Sequence, residues 1–251
     1  MNVNQPSEIG KRIRLGRIGW RWIITLLVAR FILAFVAQPL VALIFFRGAA
    51  GSWAEAGRFW TVYGTAIDLC CLALLLRATQ REAIGIIDLV GISRRLLARD
   101  VLIGGGLTLV FLPLAGLGTL LASAVFYGGP APASVGSLPG WALIYSLVVW
   151  PIIWAVAEQT VYAGYGLPRI EVMTGSGLAA VAIVVAYWSL QYVALPLDPD
   201  SRAVGTRFFG LVPMLVAAGI AYLRLRRLLP LIIAQAAVNI WLVVSMNFAA
   251  A

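Results

Sequence analysis

Histidine is absent from these 251 residues, and lysine occurs once, as Lys11. The chain therefore lacks the commonest metal ligand, the commonest general base and the usual haem ligand. A Schiff-base pigment is excluded as well, because Lys11 lies outside every apolar stretch. Cysteine is limited to the adjacent Cys70 and Cys71, a spacing that offers no metal site and disfavours mutual bridging, so both read as small core residues. Charged residues make up only 12% of the chain and apolar residues 62%, against about 45–50% apolar in soluble domains. A water-soluble globule is excluded, and an all-α, polytopic integral membrane helix bundle is expected. In so apolar a chain the net charge of +9 reads as orientation in a bilayer, with membrane lipids as partners and no nucleic acid.

Seven apolar stretches are present: 22–46, 59–76, 101–127, 141–166, 178–195, 208–223 and 228–246. A spanning helix needs about 20 apolar residues, which predicts about seven transmembrane helices, the sixth stretch being the weakest. The basic residues are unevenly placed. Fourteen fall on one side, before stretch one (Lys11 to Arg21), between stretches two and three (Arg77 to Arg99), at Arg169 and at Arg224 to Arg227; Arg47, Arg58, Arg202 and Arg207 fall on the other. The positive-inside rule then predicts a cytoplasmic N-terminus and an outer C-terminus, in a bacterial cytoplasmic membrane.

Residues 1–21 read as a basic cytoplasmic segment, either a surface anchor on anionic lipid or a partner-binding arm, and 22–251 as a single transmembrane domain. Ile84, Ile87 and Val90 predict a surface amphipathic helix within the loop 77–100. The uncharged loop 128–140, rich in Gly, Pro and Ser, reads as a connector.

Ionisable residues inside a membrane are costly and mark function by default. Three qualify: Arg30, Asp68 and Glu158. At 1.5 Å per residue Arg30 and Asp68 both lie roughly 10–12 Å deep on consecutive antiparallel helices. A structural ion pair is the preferred reading, with a proton or ion relay and snorkelling of Arg30 as alternatives. For such a pair, neutralising Asp68 alone is expected to strand the arginine.

Glu158 is joined on its own helix by Tyr162 and Tyr165, at i+4 and i+7. Gln191 on the fifth stretch and Gln235 with Asn239 on the seventh add polar groups at similar depth. These residues, in this order, resemble the CAAX-protease and bacteriocin-processing enzyme (CPBP) intramembrane proteases over roughly 77–241. The first family motif, EExxxRG with a following Pro-Arg, corresponds to Glu158-Gln159-Thr160-Val161-Tyr162-Ala163-Gly164 with Pro168-Arg169. The second, FxxxH, corresponds to Tyr187 to Gln191, and the third, HxxxN after a basic turn and a proline, to Gln235 to Asn239 after Arg224 to Pro230.

The resemblance implies a water activated by the first Glu and the second-motif His, and an oxyanion steadied by the third-motif His and Asn, with metal dependence in some members. Here Glu158 and Asn239 remain, while Gln191 and Gln235 replace both histidines. An amide keeps the approximate size and the hydrogen bonding of imidazole but cannot take up and return a proton near neutral pH. The second Glu and the Arg of the first motif become Gln159 and Ala163, a concerted loss that avoids a stranded charge.

The expected protein is thus a catalytically inactive CPBP-like subunit of a membrane assembly, with no cofactor and no catalytic metal. Alternatives are a glutamate-type peptidase using Glu158, a carrier of a lipid or isoprenoid, and simple interhelical hydrogen bonding by Gln and Asn.

Overall fold

The computed structural model describes residues 3–132 and 137–248; the middle of the expected connector, 133–136, lies outside the described residues. All regular elements described are helical. α1 (Pro6–Arg14) starts on a proline, carries Glu8 in its first turn and Lys11, Arg12 and Arg14 in its last, a distribution that suits the helix dipole. α2 (Trp20–Phe45), α3 (Ser52–Arg58) and α4 (Trp60–Arg81) follow, then a one-turn α5 (Ile86–Val90) and α6 (Leu97–Tyr127). At 31 residues α6 is about 46 Å long, more than the roughly 30 Å hydrocarbon core requires. Its end is a left-handed cap at Gly128, φ 71°.

Stretch four, expected as one helix, is broken. α7 (Gly140–Val148) meets α8 (Trp150–Glu158) at a bend of 41°, and Pro151 explains the break because it removes a backbone donor in the first turn of α8. A π-helical segment, Gln159–Gly166, then leads into α9 (Leu167–Thr174). α10 (Gly177–Val193), α11 (Ser201–Gly210), α12 (Val212–Leu225) and α13 (Leu229–Phe248) complete the bundle.

Among the described residues, five helical stretches are long and apolar enough to cross a membrane, and six if the bent pair counts as one span. The difference from seven lies in α10, which has only 17 residues. Stretch six, the weakest in the sequence, is in fact part of a 25-residue helical run beginning at Ser201. Its start is set by the Asp200 carboxylate, which accepts from the Arg202 amide, and not by where the apolar residues begin. Hydropathy alone is blind to such a cap.

One further expectation is revised. The loop 77–100 does not form one amphipathic helix: α4 runs on to Arg81, and α5 is confined between Gly85 and Gly91, the latter left-handed at φ 65°. The basic N-terminal segment packs against the bundle. α1 packs on α9 with Ile9 fully buried, and the Asn4 amide donates to the Tyr222 hydroxyl at 2.9 Å.

The core gathers aromatic and aliphatic side chains of α2, α4, α8, α10, α12 and α13, whereas α6 turns Leu102, Leu109 and Val125 outward, each more than three-quarters exposed. Such a face suits lipid, not water. α6 approaches its neighbours through glycine. A methyl at Gly104 would lie 2.9 Å from Ile233 of α13, and one at Gly118 would overlap the Gly210 carbonyl oxygen of α11. Gly118→Ala should therefore destabilise the bundle by about 1–3 kcal/mol. Gly105→Ala, with no neighbour within 4 Å, should change stability by less than about 1 kcal/mol, towards stabilisation. Thermal melts of the two variants in detergent check the contrast.

Candidate functional site

Glu158 ends α8, at the junction where the backbone changes from α to π geometry. Small residues permit this change: a side chain at Gly164 would overlap Leu228, and one at Gly166 would crowd Leu27 at 3.1 Å. π geometry is rare and concentrates at functional sites. It also alters which side chains share a face. Tyr162 stacks on Trp188, ring centroids 5.0 Å apart, whereas Tyr165 turns away to lie beneath the Arg169 guanidinium at 3.8 Å. The expected single face of Glu158, Tyr162 and Tyr165 is therefore split between two clusters.

The carboxylate of Glu158 is completely buried and has three partners on Oε1. The Gln191 amide and the Tyr192 hydroxyl both donate to it, the latter at 2.9 Å. The third partner is Arg30, whose guanidinium stands 3.3 Å away. Arg30 also pairs with Asp68 and lies over the ring of Trp154, 3.8 Å from its centroid. Arg30 thus bridges two carboxylates, where sequence depth pointed to one. Nothing in the spacing of α2 and α8 announced the second contact, since the two helices are more than a hundred residues apart in sequence.

Gln235 and Asn239 stand elsewhere. The Gln235 amide donates to the Asn239 side chain at 3.2 Å, and Asn239 donates to the Pro151 carbonyl at 3.2 Å, so this pair ties α13 to the first turn of α8 without touching Glu158. Gln159 and Ala163 are both fully buried; the side-chain oxygen and nitrogen of Gln159 have no hydrogen-bond partner among the described residues.

A cavity of about 530 Å³ opens beside this region. Its inner wall is Trp60, Trp150, Trp154, Tyr192, Gln235 and Asn239, and its mouth carries Tyr127, Asp198, Asp200 and Arg207. Neither Glu158 nor Gln191 lines it. Tyr192 belongs to both: it lines the cavity and holds the carboxylate.

Metal binding is disfavoured by the donor set itself. Around Glu158 stand an amide, a phenol and a guanidinium, and no group of three His, Cys, Asp or Glu side chains is brought together among the described residues. A hydrolytic zinc site normally uses three such ligands, so a metal of that kind does not fit here.

A second charged cluster was missed in the sequence, where Arg169 counted only as a loop cation. Arg169 is fully buried and grips Glu82 with two hydrogen bonds, Nε to Oε1 at 2.9 Å and Nη2 to Oε2 at 2.6 Å, while Nη1 donates to the Tyr165 carbonyl. Arg12 of α1 joins the same carboxylate at 3.1 Å. Burial and the neighbouring Arg169 lower the pKa of Arg12, and Glu82 works against that shift. The conspicuous signal was the Pro-Arg ending of the first motif: Arg169 fixes the far end of the π-helical segment to α4 and α1.

Gln38 was passed over as well. It receives the Tyr63 hydroxyl at 3.0 Å and the Leu197 amide at 2.7 Å, holding the cavity-mouth loop against α2 and α4.

Comparison with known proteins adds one finding. Residues 139–241 match the family model for Type II CAAX prenyl endopeptidase Rce1-like proteins. The matched stretch spans α7 to α13 and includes Glu158, Tyr187 to Gln191 and Gln235 to Asn239, the residues on which the CPBP resemblance rests. It begins well after Arg77, so α4 and α6 lie outside it. No curated protein and no solved structure matches the chain.

Glu82→Gln should leave two guanidiniums against a neutral amide, one of them fully buried, and cost about 3–5 kcal/mol. A lowered melting temperature for this variant, beside an unchanged one for the exposed Arg94→Gln, checks the assignment.

Proposed function

We propose that this integral membrane, CAAX-protease-like protein no longer hydrolyses peptides and serves as a structural or accessory subunit of a membrane assembly. The observation that carries the reading is the state of Glu158. It is the last acid–base group left at the motif positions, and it is fully buried, engaged by Arg30, Gln191 and Tyr192, and set back from the cavity wall. A general base must come within hydrogen-bond reach of the water that it activates, about 2.6–3.2 Å. Here Oε1 is taken by three partners, and Oε2, which has no hydrogen-bond partner among the described residues, is buried away from the cavity lining. The amides of Gln191 and Gln235 cannot relay the proton, and general acid–base work is worth roughly 10²- to 10⁴-fold.

The accessory role is supported by what remains once chemistry is removed: a rigid charged interior, and long apolar faces such as that of α6, which fit lipid or the helices of other membrane subunits. A carrier of a lipid or isoprenoid is the second reading, favoured by the aromatic-walled cavity of about 530 Å³.

Purified protein should leave prenylated and unprenylated peptides uncut, with the same blank result for E158Q and no stoichiometric metal in either. Cleavage by the natural chain that disappears in E158Q would establish Glu158 as the base of a working peptidase. Isolation under mild detergent separates the other two readings: companion membrane proteins at fixed stoichiometry support a subunit, and a lone chain with bound lipid supports a carrier.

The reading includes a bacterial cytoplasmic membrane, a cytoplasmic N-terminus and α10 as a short seventh crossing. Support comes from the fourteen-to-four imbalance of basic residues between the two sides. Reporter domains fused after Arg227 and after Met246 should then report opposite sides of the membrane. The same side for both would remove α13 from the set of spans.

A further inference from the structure

The cluster at the centre of the bundle has an uneven charge count. α2 contributes Arg30; α4 contributes Asp68 and the Cys71 thiol; α8 contributes Glu158; the π-helical segment contributes the Tyr162 phenol and α10 the Tyr192 phenol. Thiol and phenols are neutral in their ordinary state. Among the described residues Arg30 is the one cation that pairs with either carboxylate. With both acids ionised the cluster would carry one uncompensated negative charge. All three charged groups are at most 2% exposed, so water does not screen it.

An unpaired charge in such surroundings is relieved most cheaply by protonation, and two carboxylates that share one guanidinium also repel each other. Arg30 cannot solve the problem alone, because its single charge is already divided between Asp68 and Glu158. Gln191 and Tyr192 stabilise a negative Glu158 by donating to it, but dipoles do not change the count.

We propose that Arg30, Asp68 and Glu158 form a proton-binding site that holds one proton between the two carboxylates and exchanges it with the cavity through the Tyr192 hydroxyl. The occupied cluster is neutral; release of the proton leaves it at minus one. Tyr192 is the positioning residue for exchange because its hydroxyl contacts Glu158 while the residue lines the cavity, whereas Glu158 itself does not. In each uptake the phenol passes its own proton to Glu158 and its oxygen accepts one from a hydrated proton in the cavity, which becomes water; release runs the same steps in reverse, so the phenol ends unchanged. This assignment rests on the geometry and charge of the triad and holds whether or not the protein cleaves peptides.

The proton behaves as an alternative partner, so the variants have a distinctive pattern. Removing one carboxylate leaves one acid facing one guanidinium, which needs no proton. Removing both strands Arg30. D68N and E158Q should each keep the natural melting temperature within a few degrees, and the double variant should lose most of its folded yield. This replaces the expectation, formed when Asp68 was the only partner in view, that D68N alone would strand the arginine.

Infrared spectra of the full chain in detergent at neutral pH give a direct reading. The natural protein should show a carboxylic-acid carbonyl band that moves in heavy water, and the band should vanish in D68N and in E158Q. Y192F should keep the band, with its hydrogen–deuterium exchange slowed several-fold. Absence of the band from the natural protein would overturn the proposal, above all if sodium or potassium then raised the melting temperature, since a metal cation would be balancing the charge. Persistence of the band in both single variants would overturn it too, and so would a D68N protein as unstable as the double variant. Exchange in Y192F as fast as in the natural protein would sink the route through Tyr192 and leave the site.

Discussion

A guanidinium buried among apolar helices must be compensated in place, and the arrangement of this bundle follows from how Arg30 is compensated. Its partners come from two other helices, Asp68 of α4 and Glu158 of α8, and the indole of Trp154 covers its face. Three elements remote in sequence are thereby fixed at one depth. Leaving a buried guanidinium with no acidic partner costs far more than exchanging the whole set for apolar residues, so such a cluster holds its helices in a single register. The break between α7 and α8 and the π-helical segment after Glu158 act around this point, one on each side, and set where the carboxylate falls.

The Glu82, Arg169 and Arg12 cluster repeats the principle one level lower. It joins the end of α4, the start of α9 and the N-terminal helix α1, and with Asp100 against Arg227 and Glu171 against Arg226 it forms a belt of paired charge at one end of the bundle. Basic residues that set orientation by their number are therefore, in part, also structural residues. Arg169 and Arg227 have acidic partners that are completely buried, while Arg94 and Arg95 have no place in the core.

Much of the fold was legible because hydrophobic length is a strong local signal. Six of the seven apolar stretches correspond to candidate spans or to the bent pair, and the seventh is the 17-residue α10. Helix ends were less legible, since the Asp200 cap and the Pro151 break are set by single residues that hydropathy averages away. In the site, Gln235 and Asn239 could be paired from an i, i+4 spacing, and Arg30 with Asp68 from equal depth. The Arg30–Glu158 and Arg169–Glu82 contacts could not, because they join helices whose neighbourhood is settled only by packing. The π-helical segment is hidden for a different reason: a 3.6-residue period places Tyr165 on the face of Glu158, and the backbone departs from that period, which turns Tyr165 to Arg169.

Set against the motif that it resembles, the chain differs in where its charged groups stand. The pattern places a second Glu and an Arg one turn apart on the helix of the first Glu; here Gln159 and Ala163 stand at those positions, and a guanidinium reaches Glu158 from α2. The difference in origin matters chemically. Arg30 enters through the bundle, paired with Asp68 and laid over Trp154, which lines the cavity. A carboxylate so engaged is stabilised as an anion or as half of a proton-sharing pair, and in either form it has little tendency to take a proton from a substrate water. On the inactive reading proposed above, Gln191 and Gln235 at the two histidine positions leave no group to relay a proton, and Arg30 engages the one carboxylate that stands at a motif position.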